Sequence, residues 1–287
     1  MLISLKEILA PAQKYGFAVP AFNIANFAMF GGVISVCERT NSPVIIEIHP
    51  NELNHIGPYM VKGILEQLVR SPIPACLHLD HGSTFDQVML AIRLGFTSVM
   101  IDGSLLPYWQ NVELCTKVAQ AAHAVGISVE GELGTIGIAA ACDEPGANEI
   151  VYTSPQEAVA FVKDAGIDAL AVAIGTSHGL YPKDKKPKLR LDLLREIAEV
   201  VDIPLVLHGG SNNPDNEIRA AVKIGISKVN IASDIKQAYY QQMRVVLKDD
   251  KILEPKKIQM PCIETMCRVV ESKLRLLGTL GKADYYR

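Results

Sequence analysis

Asp80 and His81 stand side by side in the run His78-Leu79-Asp80-His81-Gly82, and two further histidines, His178 and His208, follow or end short β-branched runs elsewhere. Imidazole is the side chain most often found on a metal, and three brought together from separate segments leave one coordination position open, as a catalytic zinc requires. A carboxylate beside such a site suits a proton donor or acceptor working next to a bound ion. Its competing role is to orient the neighbouring imidazole. A solitary histidine is more often a core imidazole satisfied by its neighbours, but three in equivalent places favour a shared cation. His78 lies two residues before Asp80 and shares its side of an extended strand, so spacing leaves both His78 and His81 open as the ligand. His49, His55 and His123 have weaker claims, His55 falling in an expected loop and His123 in an expected helix.

Glu130 and Glu132 alternate in one β-branched run and so face the same side. Paired interior carboxylates are costly unless they meet a cation or a basic partner, which makes either a candidate fourth or alternate metal ligand. Phosphate chemistry shows separately, in His208-Gly209-Gly210-Ser211 and Asn230-Ile231-Ala232-Ser233. Glycines let backbone N–H groups converge on a dianion, and hydroxyls add donors. A Gly-Gly-Ser run alone is an ordinary turn. Placed after the last two expected strands, it lies where barrels hold phosphate.

These groups can converge only if the strands that carry them are neighbours and parallel. Eight runs fit: Ala18–Asn23, Pro43–Ile48, Ala75–Asp80, Ser98–Asp102, Ser128–Leu133, Ala169–Gly175, Pro204–His208 and Lys228–Ala232. Helical spacing separates them, over Asn26–Thr40, Gly57–Arg70, Thr84–Leu94, Asn111–Val125, Pro155–Ala165, Leu191–Val200, Pro214–Ile224 and Asp234–Leu247. Alternating strands and helices predict a parallel sheet, and eight units in 287 residues predict a closed (β/α)8 barrel of the α/β class. Nearly every candidate then sits at the C-terminal ends of the strands, where barrel sites form. A further helix, Ile263–Leu277, follows the eighth unit, and no linker divides the chain, so one domain is expected over 1–287. The irregular stretch from Gly134 to Thr153 is the one long gap between strands.

Composition narrows the partners. A net charge of -3, from 28 basic and 31 acidic residues, gives no electrostatic case for nucleic acid or an anionic membrane. No apolar run approaches the roughly 20 residues of a membrane span, and the amphipathic N-terminus does not read as a secretory leader. Six scattered cysteines without a CxxC pair predict reduced thiols and a cytoplasmic protein.

The motifs resemble those of the class II ketose-bisphosphate aldolases, most closely the tagatose/fructose-bisphosphate branch. They are PAFNI (20–24), HLDHG (78–82), SVMIDGS (98–104), VEGELGTIG (129–137), AVAIGTSHGLY (171–181), LVLHGGS (205–211), KVNIAS (228–233) and LLGTLGKA (276–283). The resemblance implies that His81, not His78, joins His178 and His208 on Zn2+, with a monovalent cation as an optional second ion. It implies that Glu132 is an alternate ligand and that Asp80 exchanges a proton with the oxygen at the bond being broken. Dihydroxyacetone phosphate would be held by Gly179, Gly209, Gly210, Ser211, Asn230, Ile231, Ala232 and Ser233. Asn23 matches an active-site asparagine, and Lys236 stands where a basic residue often meets a second phosphate. The implied partner is a phosphorylated sugar, and the implied assembly a homodimer or homotetramer.

Two stretches depart from the pattern. Where relatives continue with a glycine pair and acidic residues after the fifth strand, this chain reads Gly137-Ile138-Ala139-Ala140-Ala141-Cys142-Asp143-Glu144, which makes Asp143 or Glu144 the substitute for a loop acid. After the second strand, Glu47-Ile48-His49-Pro50-Asn51-Glu52 replaces a small, glycine-containing loop, so the aldehyde partner is open. A metal-dependent sugar-phosphate isomerase or epimerase, and a non-catalytic subunit or sensor, are the competing readings on the same scaffold.

Overall fold

The computed structural model describes residues 1–138, 146–147, 149–181 and 187–286. Asp143 and Glu144 lie outside the described residues. The strands are β1 (Val19–Asn23), β2 (Val44–Ile48), β3 (Ala75–Gly82), β4 (Ser98–Ile101), β5 (Ser128–Leu133), β6 (Gly137–Ile138), β7 (Ala169–Val172), β8 (Ser177–His178), β9 (Leu205–Leu207) and β10 (Ile226–Ile231). Eight of them close in the order β1-β10-β9-β7-β5-β4-β3-β2. Every pairing is parallel, and β1 bonds both β10 and β2, so the expected barrel forms with no free edge. β6 and β8 form a separate two-stranded pair above it.

Around the barrel run α2 (Phe27–Arg39), α3 (Pro50–Arg70), α4 (Phe85–Leu94), α5 (Tyr108–His123), α6 (Pro155–Ala165), α7 (Leu191–Val200), α8 (Asp215–Ile224) and α9 (Ser233–Val246). Local chemistry starts several of them. Asn26, Thr84 and Ser154 accept the N3 backbone N–H of α2, α4 and α6, and Pro155 brings a preset φ to the first turn. The added C-terminal helix, α10 (Pro255–Leu276), packs on α9 and α2.

Before β1, α1 (Leu5–Tyr15) begins with a Ser4–Glu7 capping box and ends on left-handed Gly16. Its Leu5, Ile8, Leu9 and Ala12 are buried in one cluster with Val19, Ala21, Ile45, Cys76, Ala169, Ala171 and Val206 from the barrel strands. The helix therefore stoppers the N-terminal end of the barrel with apolar contact and leaves the other end for polar groups.

Two elements differ from expectation in ways that reach the site. The sixth barrel strand ends at Val172, three residues before the expected Gly175, and the chain turns through Gly175 at φ 114 to pair Ser177–His178 with β6. The third helix begins at Pro50, not Gly57. His49 caps it through Nδ1, Pro50 suits its first turn, and the helix passes Gly57 at φ 73 before Pro58 resumes it. A Gly-Pro pair reads as a breaker in sequence, but here it makes a kink. His55 and Glu52 are thus helical, and Glu52 is fixed at the barrel mouth.

Candidate active site

In a regular strand Asp80 and His81 would face opposite sides. The β3–β4 register shifts between Leu79 and Gly82, and His81 adopts φ 47, a left-handed conformation rare for a residue with a side chain. This bulge turns both side chains into the mouth. His78, still in regular alternation, stays one layer deeper and bonds Ser98 Oγ through Nδ1 at 2.8 Å.

His81, His178 and His208 come together, each offering a nitrogen within 4.8 Å of the other two. Ring centroids lie 4.9 Å apart for His81–His178, 4.7 Å for His81–His208 and 6.1 Å for His178–His208. His178 is brought in by the β6–β8 pair, and His208 directly follows β9. The glycines after it are spatially required: a Cβ on Gly209 would meet Ser177 O at 2.6 Å, and one on Gly210 would meet Val229 Cγ1 at 2.4 Å and Asn230 O at 2.7 Å.

Tautomers follow from the outer partners. His81 Nδ1 lies 2.8 Å from Asp102 Oδ2 and His208 Nε2 lies 2.8 Å from Glu130 Oε1, so each of these nitrogens donates its proton to a carboxylate. The remaining nitrogens, His81 Nε2 and His208 Nδ1, face each other at 3.0 Å. Two lone pairs at that separation repel unless a proton or a cation lies between them. Glu132 Oε2 sits 3.5 Å from His208 Nδ1 and is buried without a hydrogen-bond partner. Three imidazoles and an unsatisfied carboxylate make a donor set that fits a zinc-like divalent ion.

The floor beneath is ionic. Lys228 Nζ meets Glu47 Oε1 at 2.7 Å and Glu130 Oε2 at 2.8 Å, all three side chains fully buried. Burial drives the Glu130 carboxyl pKa up, but Lys228 and the His208 hydrogen bond outweigh it and hold it well below the usual range. Glu47 goes the other way: burial dominates the Lys228 charge and raises it. Burial and the Lys228 charge push His78 down to about 3, so its ring is neutral. Asp80 resists burial through the His81, His208 and Lys228 charges, which hold it ionised. Asn23 Nδ2 donates to its Oδ2 at 2.7 Å and Asn230 Nδ2 to its Oδ1 at 3.2 Å. Burial lowers His81, but Asp80, the Asp102 hydrogen bond and Glu132 prevail and raise it well above an ordinary histidine.

Of the residues expected to hold phosphate, Asn23, Gly179, Gly209, Ser211, Asn230, Ala232 and Ser233 line one small cavity that His178 also borders. The N-terminus of α9, at Ser233, opens into it, and the positive end of the helix dipole favours an anion there. Gly210 and Ile231 do not line it: Gly210 N is bonded to Asn230 O at 3.0 Å, and the Ile231 side chain is in the hydrophobic core. Lys236 stands apart, paired with Glu52 at 2.9 Å. Residue spacing alone does not single out Asp102 or Lys228. The signal for Lys228 was its place two residues before Asn230, on the same face of an interior strand.

Breaking a carbon–carbon bond next to a carbonyl needs a sink for the charge left on oxygen and a base for the hydroxyl proton. The cation-ready imidazoles and ionised Asp80 set both beside an anion cradle, which defines a metal-assisted lyase acting on phosphorylated sugars. Residues 3–282 match the family described as Fructose-bisphosphate aldolase class-II, and the chain belongs to that family. It is 38% identical to a fructose-bisphosphate aldolase of Geobacillus stearothermophilus over 288 residues, covering 98% of this chain and 99% of the relative. It is also 38% identical to a fructose-bisphosphate aldolase of Helicobacter pylori, covering 98% of this chain and 100% of the relative. Among solved structures, the YdjI aldolase from Escherichia coli K12 superposes with a TM-score of 0.87 at 29% identity, covering 99% of this chain and 100% of that one. The protein is an aldehyde-lyase that cleaves a phosphorylated ketose. No helix among the described residues is long and apolar enough to cross a membrane.

Lys228→Met would leave Glu130 and Glu47 buried without their cation. Removing one partner of such a group costs about 3–5 kcal/mol, so thermal unfolding shifts down by roughly 6–20 °C. An unchanged melting temperature would contradict this ion network. An ion held by His81 Nε2 would have to displace the proton that the raised pKa keeps there, so below that pKa the apparent affinity would climb about tenfold per pH unit. Competition titrations with a chromophoric chelator at pH 6, 7 and 8 measure this, and a pH-independent affinity would exclude it.

Proposed function

We propose that the chain is a zinc aldolase with dihydroxyacetone phosphate as its donor product, and that His81, His178 and His208 hold the ion with Glu132 as an alternate ligand. The observation that carries this reading is that His81 Nε2 and His208 Nδ1 face each other 3.0 Å apart beside an ionised Asp80. A monovalent cation is an optional second ion. A divalent ion there supplies a Lewis acid for the charge that cleavage leaves on the ketone oxygen.

The chain's own groups do the rest. Gly209, Ser211, Ser233 and the N-terminus of α9 take the donor phosphate in the cavity that His178 borders. Gly179 and Ala232 complete the lining of that cavity, while Gly210 and Ile231 support it from behind. Asn23 and Asn230 fix the plane of Asp80, whose carboxylate accepts the hydroxyl proton during cleavage and returns it during condensation. Asp102 and Glu130 hold the His81 and His208 tautomers that keep a lone pair toward the ion. Residues 1–287 act as one unit in the cytoplasm, as a homodimer or homotetramer. Relatives named fructose-bisphosphate aldolases support a ketose phosphate of that class as substrate.

Zinc-loaded protein given ketose 1-phosphates and 1,6-bisphosphates of the fructo and tagato series should release dihydroxyacetone phosphate, read by a coupled reduction. A chelator should stop the release and added zinc restore it. Asp80→Ala should bind the metal yet lower kcat by about 10²–10⁴. Release that survives chelation, or an undiminished kcat in Asp80→Ala, would refute the assignment.

A further inference from the structure

The barrel mouth has a half that the donor cradle leaves unused. The His49 ring stands 6.4 Å from that of His81. Beside it Glu52, in the first turn of α3, meets Lys236, in the first turn of α9, with Oε1 to Nζ at 2.9 Å. α3 follows β2 and α9 follows β10, and β1 is bonded to both strands. The ion pair therefore bridges the mouth over the end of β1, where Asn23 holds Asp80. A ketose anchored by its donor phosphate near Ser211 and Ser233 and laid across Asp80 directs its remaining carbons toward this bridge.

We propose that Glu52 is a specificity-determining residue that, by occupying the Lys236 ammonium, selects ketose phosphates whose aldehyde half ends in hydroxyls over those ending in a second phosphate. This rests on the aldolase reading above. A hydroxyl both donates and accepts, so it can bond the carboxylate and the ammonium together. A phosphate dianion only accepts. At Lys236 it finds the cation's charge already balanced and a carboxylate at contact distance repelling it. Burial lowers the His49 pKa, so His49 adds a neutral ring and no cation. On α9 itself the next cation after Lys236 is Arg244, two turns farther along and about 12 Å away, in a groove with Tyr240.

The test is a double-mutant cycle on the zinc-loaded enzyme, with kcat/KM measured for fructose 1-phosphate and fructose 1,6-bisphosphate in wild type, Glu52→Gln, Lys236→Gln and the double variant. The bisphosphate-to-monophosphate ratio should rise about tenfold in Glu52→Gln, and the double variant should lose that rise. Lys236→Gln alone should lower the wild-type ratio by less than about threefold. A ratio in Glu52→Gln within about threefold of wild type would overturn the role of Glu52. So would a loss beyond that limit in Lys236→Gln alone, because the lysine would then already serve a second phosphate. The Lys236→Gln arm decides the matter if Glu52→Gln does not fold. A wild type that cleaves neither sugar overturns the aldolase reading itself and this assignment with it.

Discussion

His81 Nε2 and His208 Nδ1 point at each other 3.0 Å apart, and the rest of the barrel's polar interior is arranged around that confrontation. Asp102 and Glu130 fix the two tautomers from outside. Glu130 can remain a carboxylate at full burial only because Lys228 lies beneath it, and Lys228 is in turn shared with Glu47. Each layer resolves the electrostatic problem of the one above, down to the apolar stopper formed by α1. The result is a set of imidazoles held in fixed orientation around a common point, which would limit the reorganisation left for a reaction step there.

Backbone geometry contributes as much as charge. The register shift in β3 and the left-handed His81 place two consecutive residues on one side, so the proposed proton acceptor and one proposed metal ligand share a strand end. The short β6–β8 pair does similar work for His178, carrying it in from outside the barrel sheet. Gly209 and Gly210 then fit between β8 and β10 where no side chain could, which brings their loop beside the three imidazoles.

Much of this was legible in the amino-acid order. Eight β-branched runs alternating with helical ones specified the barrel, and histidines at strand ends located the mouth. Regular alternation placed His78 with Asp80 correctly but could not put His81 there, because a bulge is a tertiary feature with no period of its own. Glu130 and Glu132 looked equivalent on one strand, yet one pitch of the strand places Glu130 against Lys228 and Glu132 beside the imidazoles. Asp102 and Lys228 went unnoticed because their importance lies in partners more than 20 residues away. Glu52 was visible as an unusual charge after the second strand, but only the helix begun by His49 and Pro50 brings it to Lys236.

On the proposed function, the three imidazoles carried on β3, β8 and the end of β9 hold one ion. X-ray absorption at the zinc edge of the metal-loaded protein tests it most directly. The expected result is one zinc per chain with three imidazole nitrogens at about 2.0–2.1 Å and the remaining positions filled by oxygen. A thiolate sulfur at about 2.3 Å, or a shell of oxygens with a single imidazole, would contradict it.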